Sequence, residues 1–94
     1  EAVEAGAKLA CGGKKLSSSL YAPTILVNPP DSAKVSTQEI FGPVVCIYSY
    51  KTIAEAITRA NALDVAFQAS VFAKDVDKAM QIANKLDTSA VMIN

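Results

Sequence analysis

The sequence contains no histidine. That removes the side chain most often used as a general base near neutral pH, and the commonest metal ligand. Charge of one sign is not in excess either: nine Lys and Arg balance nine Asp and Glu. The longest basic cluster is Lys14-Lys15, so the electrostatic footprint of a nucleic-acid binder is missing. No run approaches the roughly 18 consecutive apolar residues of a membrane span. The opening Glu1-Ala2-Val3-Glu4 is acidic and does not have the basic start of a signal peptide. Only two cysteines occur, Cys11 and Cys46. They make neither a C-x-x-C pair nor a dense disulfide framework. Two buried free thiols in a reducing, cytoplasmic compartment are the expectation.

What is present is apolar. The chain has 94 residues, of which 51% are hydrophobic, more than so small a surface easily hides. Some apolar faces are therefore expected to pack against parts of a larger protein.

Residues 1–6 are expected to be the tail of a helix, with Ala2, Ala5 and Gly6 as its packed stripe. A short strand over 7–11 follows, ended by Gly12-Gly13, then a serine-rich loop over 14–20. Tyr21 to Val27 has strand character and stops at Pro29-Pro30-Asp31, because proline cannot donate to a ladder. Ser36 to Glu39 fits the S-x-x-E capping box and would open a very short helix, which Gly42-Pro43 ends. Val44 to Tyr50 is β-branched and aromatic, with apolar residues at nearly every position, as expected of a strand buried on both faces. Thr52-Ile53-Ala54-Glu55 is a second capping box. It precedes a helical stripe of Ile53, Ala56, Ile57, Ala60 and Leu63. A strand over 68–72 follows. Asp75 can cap a further helix with the stripe Val76, Ala79, Met80, Ala83 and Leu86, and a strand over 90–94 closes the chain. From Val44 onward strands and helices alternate. That order implies an α/β fold in which a parallel sheet carries right-handed crossover helices in three layers. Residues 1–94 show no internal domain boundary, and both ends look cut from something longer.

Candidate chemistry is sparse. Cys46 sits inside an apolar strand, and an activated thiolate needs a helix N-terminus, a base or cationic neighbours. Cys11 has no obvious base. Gly12-Gly13 lacks the fuller glycine pattern of a phosphate cradle and fits a turn. Glu39 and Phe41 are more informative. Glu39 can be the carboxylate of the capping box and Phe41 a core aromatic. Yet they lie two residues apart on a turn closed by Gly-Pro, just before the central strand. Such a turn can direct a carboxylate toward sugar hydroxyls and an aromatic edge toward a flat ring.

Gln38-Glu39-Ile40-Phe41-Gly42-Pro43-Val44 closely resembles the Glu-Glu-Ile-Phe-Gly-Pro-Val motif of the aldehyde dehydrogenase superfamily. Gly6-Ala7-Lys8-Leu9 with Gly12-Gly13 resembles a family stretch of the form GAKLL followed by GG. Tyr21-Ala22-Pro23-Thr24-Ile25-Leu26 is similar to its PTIL strand. Asn61-Ala62-Leu63 and Ala69-Ser70-Val71-Phe72 flank the place where the family usually has PYGL. Ala90-Val91-Met92-Ile93-Asn94 resembles its strand of the form G–V–IN. The resemblance covers essentially the whole chain, in order.

It implies an enzyme that oxidises aldehydes to carboxylic acids with NAD or NADP. A cysteine thiolate attacks the aldehyde to give a thiohemiacetal, hydride passes to the nicotinamide, and water releases the acid from a thioester. The resemblance also assigns cofactor-binding roles. Glu39 would hydrogen-bond the hydroxyls of the nicotinamide ribose, and Phe41 would pack at the nicotinamide end of the cofactor. The family's nucleophile, its water-activating glutamate and its dinucleotide-binding fold lie upstream. Neither Cys46 nor Cys11 matches the nucleophile's motif, so no catalytic residue and no metal ligand is expected here. Full enzymes of the family are dimers or tetramers, so the expected partners are an aldehyde, the rest of the same enzyme chain and further copies of it. Gln38 departs from the motif without consequence for the cofactor. Asp64-Val65-Ala66-Phe67 replaces Pro-Tyr-Gly-Leu, and that loop is expected to have a different backbone. Two alternatives remain: a stand-alone nucleotide-binding module without catalysis, and a structural or interaction module.

Overall fold

The computed structural model describes residues 1–64 and 66–94. The chain divides into two compact units, Glu1–Ser49 and Tyr50–Asn94.

In the first unit the chain opens on a hydrogen-bonded turn. Ala5 donates to the Glu1 carbonyl, Gly6 to Val3 and Ala7 to Ala2. The last two bonds, around Gly6 at φ 115°, are those of a Schellman helix end. The helix-tail expectation holds in that sense. The packed stripe does not, because Ala5 and Gly6 are exposed: Gly6 terminates the turn rather than packing it.

Strand β1 (Lys8–Cys11) pairs antiparallel with β2 (Thr24–Val27), with a bulge between Leu9 and Cys11. The serine-rich segment between them is closed by a Lys15–Tyr21 bridge. Strand β2 pairs parallel with β3 (Val44–Ile47), Thr24 opposite Val44 through Val27 opposite Ile47. The connection runs through the one-turn helix α1 (Lys34–Thr37). The core of this unit is small: Ala7, Thr24, Leu26 and Ala33 are buried.

Three expectations are corrected here. Strand β3 is not buried on both faces, since Val45 and Ile47 are 58% and 49% exposed. The capping box at Ser36–Glu39 does not form. Helix α1 begins two residues earlier, behind an extended Ala33 that offers no side-chain cap. Its last residue, Thr37, precedes Gln38 in extended geometry, which leaves Glu39 outside the helix. The cysteines are free but not both buried: Cys11 is exposed and Cys46 partly so. All four residues of β1 are exposed.

In the second unit, α2 (Ile53–Ala60) starts where the second capping box predicts. The Thr52 hydroxyl accepts from the Glu55 N–H, and the Glu55 carboxylate accepts from the Lys51 N–H. Strand β4 (Gln68–Val71) pairs parallel with β5 (Ala90–Ile93). Between them runs α3 (Val76–Ala83), whose cap Asp75 accepts from the Lys78 N–H. Its buried centre is Ala79, while Val76 and Met80 are exposed. The inward face is therefore rotated toward Ile82 and Leu86. The Asn61 side chain donates to the Lys85 carbonyl and accepts from the Asp87 N–H, tying the end of α2 to the end of α3. Of the loop Asp64-Val65-Ala66-Phe67, Val65 lies outside the described residues, and Phe67 is exposed.

The architecture is α/β with parallel strands, and β1 adds an antiparallel edge.

Candidate functional site

The turn over residues 38–43 joins α1 to β3, and its geometry follows from what holds each end. Upstream, the Gln38 N–H bonds the Lys34 carbonyl at 2.9 Å, the last bond of α1. Downstream, the Pro43 carbonyl accepts from the Thr24 N–H at 2.8 Å, which aligns β3 with β2. Two short-range bonds, Gly42 N–H to Ile40 and Val44 N–H to Gly42, fold the chain between them.

This turn displays its side chains outward. Phe41 is 94% exposed, so it is not a core aromatic of this unit. Glu39 is exposed and has no hydrogen-bond or ion-pair partner among the described residues. The capping role that the pattern offered for Glu39 is absent, and its carboxylate is an open acceptor. The two sequence-predicted residues thus share one exposed turn at the leading end of a parallel strand.

Among the described residues, neither cysteine has a charged partner. The Cys11 thiol lies 3.9 Å from the Pro23 carbonyl oxygen, and Cys46 lies opposite Leu26 in the β2–β3 ladder. Among the described residues no group of three or more His, Cys, Asp or Glu could hold a metal. Among the described residues, no helix is long and apolar enough to cross a membrane.

Two features escaped the sequence reasoning. The Ser36 hydroxyl bonds both the Pro30 carbonyl (2.9 Å) and the Tyr48 hydroxyl (2.7 Å), tying α1 to the residue that follows β3. The second unit also has an apolar cleft of about 570 Å³, lined by Ile53, Ile57, Phe72, Ile82 and Leu86 among others. The only signal for the cleft was that the stripes of α2 and α3 are both apolar. No signal pointed to the Ser36–Tyr48 bond, because a hydroxyl pair twelve residues apart has no local pattern.

The sequence model of the aldehyde dehydrogenase family matches residues 1–94. The chain belongs to the aldehyde dehydrogenase family. Its relatives include a 3-sulfolactaldehyde dehydrogenase of Priestia aryabhattai, 43% identical over the whole chain and 20% of that protein. Retinaldehyde dehydrogenase 3 of Homo sapiens is 41% identical over 95% of this chain and 18% of its own length. Among solved structures, aldehyde dehydrogenase 21 from Physcomitrella patens, in complex with the reaction product succinate, superposes with a TM-score of 0.93 at 34% identity. That match covers 100% of this chain and 19% of that one. Aldehyde dehydrogenase C from Pseudomonas syringae, a mutant in complex with NAD+ and octanal, gives 0.89 at 32% identity over 98% and 20%. This aldehyde dehydrogenase segment therefore spans about a fifth of the length of its relatives. The exposed turn over 38–43 lies inside the matched region.

Proposed function

We propose that these residues form part of the catalytic domain of an NAD- or NADP-dependent aldehyde dehydrogenase that converts an aldehyde and water to a carboxylic acid. In this reading Glu39 and Phe41 receive the nicotinamide half of the cofactor. The nucleophilic cysteine and the water-activating carboxylate lie outside residues 1–94, and the complete enzyme is a cytoplasmic homo-oligomer. The observation that carries the reading is the open turn: an unpartnered carboxylate and a nearly fully exposed phenyl ring, two residues apart.

The residues fit the group chemically. An ionised carboxylate only accepts hydrogen bonds and has room for two hydroxyl donors, which is what a ribose diol offers. An exposed phenyl ring gives a planar heterocycle an apolar surface. When bound, the nicotinamide supplies the hydride acceptor. Glu39 would orient the ribose, and Phe41 would limit how far the ring can swing and keep water from one side of it. Holding a reactant in the orientation it needs for transfer lowers the barrier without any chemistry by the residues themselves. Relatives crystallised with NAD+, from Pseudomonas syringae and Mycobacterium tuberculosis, support a nicotinamide cofactor. The similarity to an E. coli NADP-dependent enzyme keeps both forms in the reading. The exposed Val45 and Ile47 on β3 support a setting within a larger domain.

The test is Glu39→Gln in the full-length enzyme, with steady-state kinetics for cofactor and aldehyde. The loss of a charge-assisted hydrogen bond should raise the cofactor KM about tenfold and slow hydride transfer. Wild-type values for both would refute the assignment.

A further inference from the structure

The Ser36 hydroxyl carries one proton. It lies 2.9 Å from the Pro30 carbonyl oxygen, which can only accept, and 2.7 Å from the Tyr48 hydroxyl. Ser36 therefore donates to Pro30 and accepts from Tyr48. This relay joins three parts of the first unit: the segment entering α1, α1 itself, and the residue after β3.

Its position gives it leverage on the turn. Helix α1 is only four residues long and has no side-chain N-cap. A single helical turn has little stability of its own, because nucleation fixes several dihedrals for very few hydrogen bonds. Its placement must come from ties to the rest of the unit. A further side-chain tie to it from a distance is a long 3.5 Å contact from the Lys34 N–H to the Glu1 carboxylate. Among the described residues, the turn over 38–43 is held downstream by the Thr24–Pro43 backbone bond and upstream through α1. Ser36 and Tyr48 thus bracket Glu39 and Phe41 in sequence and close the loop that carries them.

We propose that Ser36 and Tyr48 are positioning residues that set the approach of Glu39 to the cofactor. This inference rests on the cofactor-binding reading of Glu39. Neither hydroxyl touches the cofactor; each acts through the placement of α1.

The experiment uses the full-length enzyme with the variants Tyr48→Phe, Ser36→Ala, Ser36→Thr and Glu39→Gln, and the double variant Tyr48→Phe/Glu39→Gln. Binding of the reduced cofactor is titrated by its fluorescence, and KM is measured for cofactor and aldehyde. Tyr48→Phe and Ser36→Ala should each weaken cofactor binding by about 3- to 10-fold, the size of one lost hydrogen bond. The cofactor KM should rise in step while the aldehyde KM stays at wild type. Ser36→Thr, which keeps the hydroxyl, should retain wild-type binding. In the Glu39→Gln background, Tyr48→Phe should add less than about twofold, because coupled residues are not additive.

Wild-type cofactor affinity in Tyr48→Phe, alongside a weakened Glu39→Gln, overturns the positioning role and leaves the function of Glu39 standing. A full Tyr48→Phe effect on top of Glu39→Gln also overturns it, since the clamp would then act on something else. A silent Glu39→Gln removes both readings. Tyr48→Phe keeps the ring and deletes one hydroxyl, so the test survives if Ser36→Ala does not fold.

Discussion

Gly13 donates its backbone N–H to the Thr24 hydroxyl at 2.8 Å, and that hydroxyl donates in turn to the Ala22 carbonyl at 2.8 Å. One buried side chain thereby satisfies a donor on the turn after β1 and an acceptor just before β2. The adjacent Gly12 adopts φ 76°, and a Cβ there would overlap the Pro23 carbonyl and lie 2.6 Å from Thr24 Oγ1. The Gly-Gly pair serves the packing of the β1–β2 turn.

This contact gives the first prediction. Thr24→Val keeps the shape but strands a backbone N–H and a carbonyl, at a cost of about 1–3 kcal/mol. Gly12→Ala combines an unfavourable φ with a steric overlap, so its cost should be about 2 kcal/mol or more. Thermal denaturation of the full-length variants should show both losses. A Gly12→Ala melting temperature equal to wild type would contradict the described turn.

The caps of the second unit give another. Thr52 and Asp75 each accept one of the free N–H groups that begin α2 and α3. Replacing either by alanine should lower stability by about 1 kcal/mol. Amide hydrogen exchange should show faster exchange confined to the first turn of the affected helix. Unchanged protection at Glu55 in Thr52→Ala, or at Lys78 in Asp75→Ala, would contradict the cap assignments.

Phe41→Ala separates a functional role from a structural one. A side chain that is 94% exposed contributes little to folding, so stability should stay within about 0.5 kcal/mol of wild type. Cofactor affinity in the full-length enzyme should fall about 2- to 10-fold through the lost ring contact. A large drop in melting temperature with intact cofactor binding would return Phe41 to a packing role.

Residues 1–94 expressed alone should show no NAD- or NADP-dependent oxidation of aldehydes. Thiol-sensitive turnover by that purified chain would show that Cys11 or Cys46 is a nucleophile after all.

Much of the local structure was legible because it is written at short range. The Thr52 and Asp75 caps are signals spanning four residues, and both formed, although the Glu55 carboxylate accepts from the Lys51 N–H and not from the Thr52 N–H of a full capping box. The β4–β5 parallel pair followed from the alternation of strands and helices from Val44 onward, whereas the β2–β3 pair, joined across a one-turn helix, lies outside that alternation. The Ser36–Glu39 box misled because the same serine had a better offer. Its hydroxyl reaches Pro30 and Tyr48, and Tyr48 is twelve residues away. The stripe after Asp75 held at Ala79, Ala83 and Leu86 but not at Val76 and Met80, for a related reason: Val76 and Ile82 are both apolar, and packing against the strands takes Ile82 inward.

The residue motif around Glu39 and Phe41 and the absence of any histidine were determined by the sequence alone, because residue identity and spacing are chemical facts before folding. The tertiary structure decided what Glu39 and Phe41 are free to do. By starting α1 at Lys34 and ending it at Thr37, it removed the capping role of Glu39 and turned Phe41 outward. That choice depends on hydrogen bonds between residues distant in sequence, which a short-range pattern does not encode.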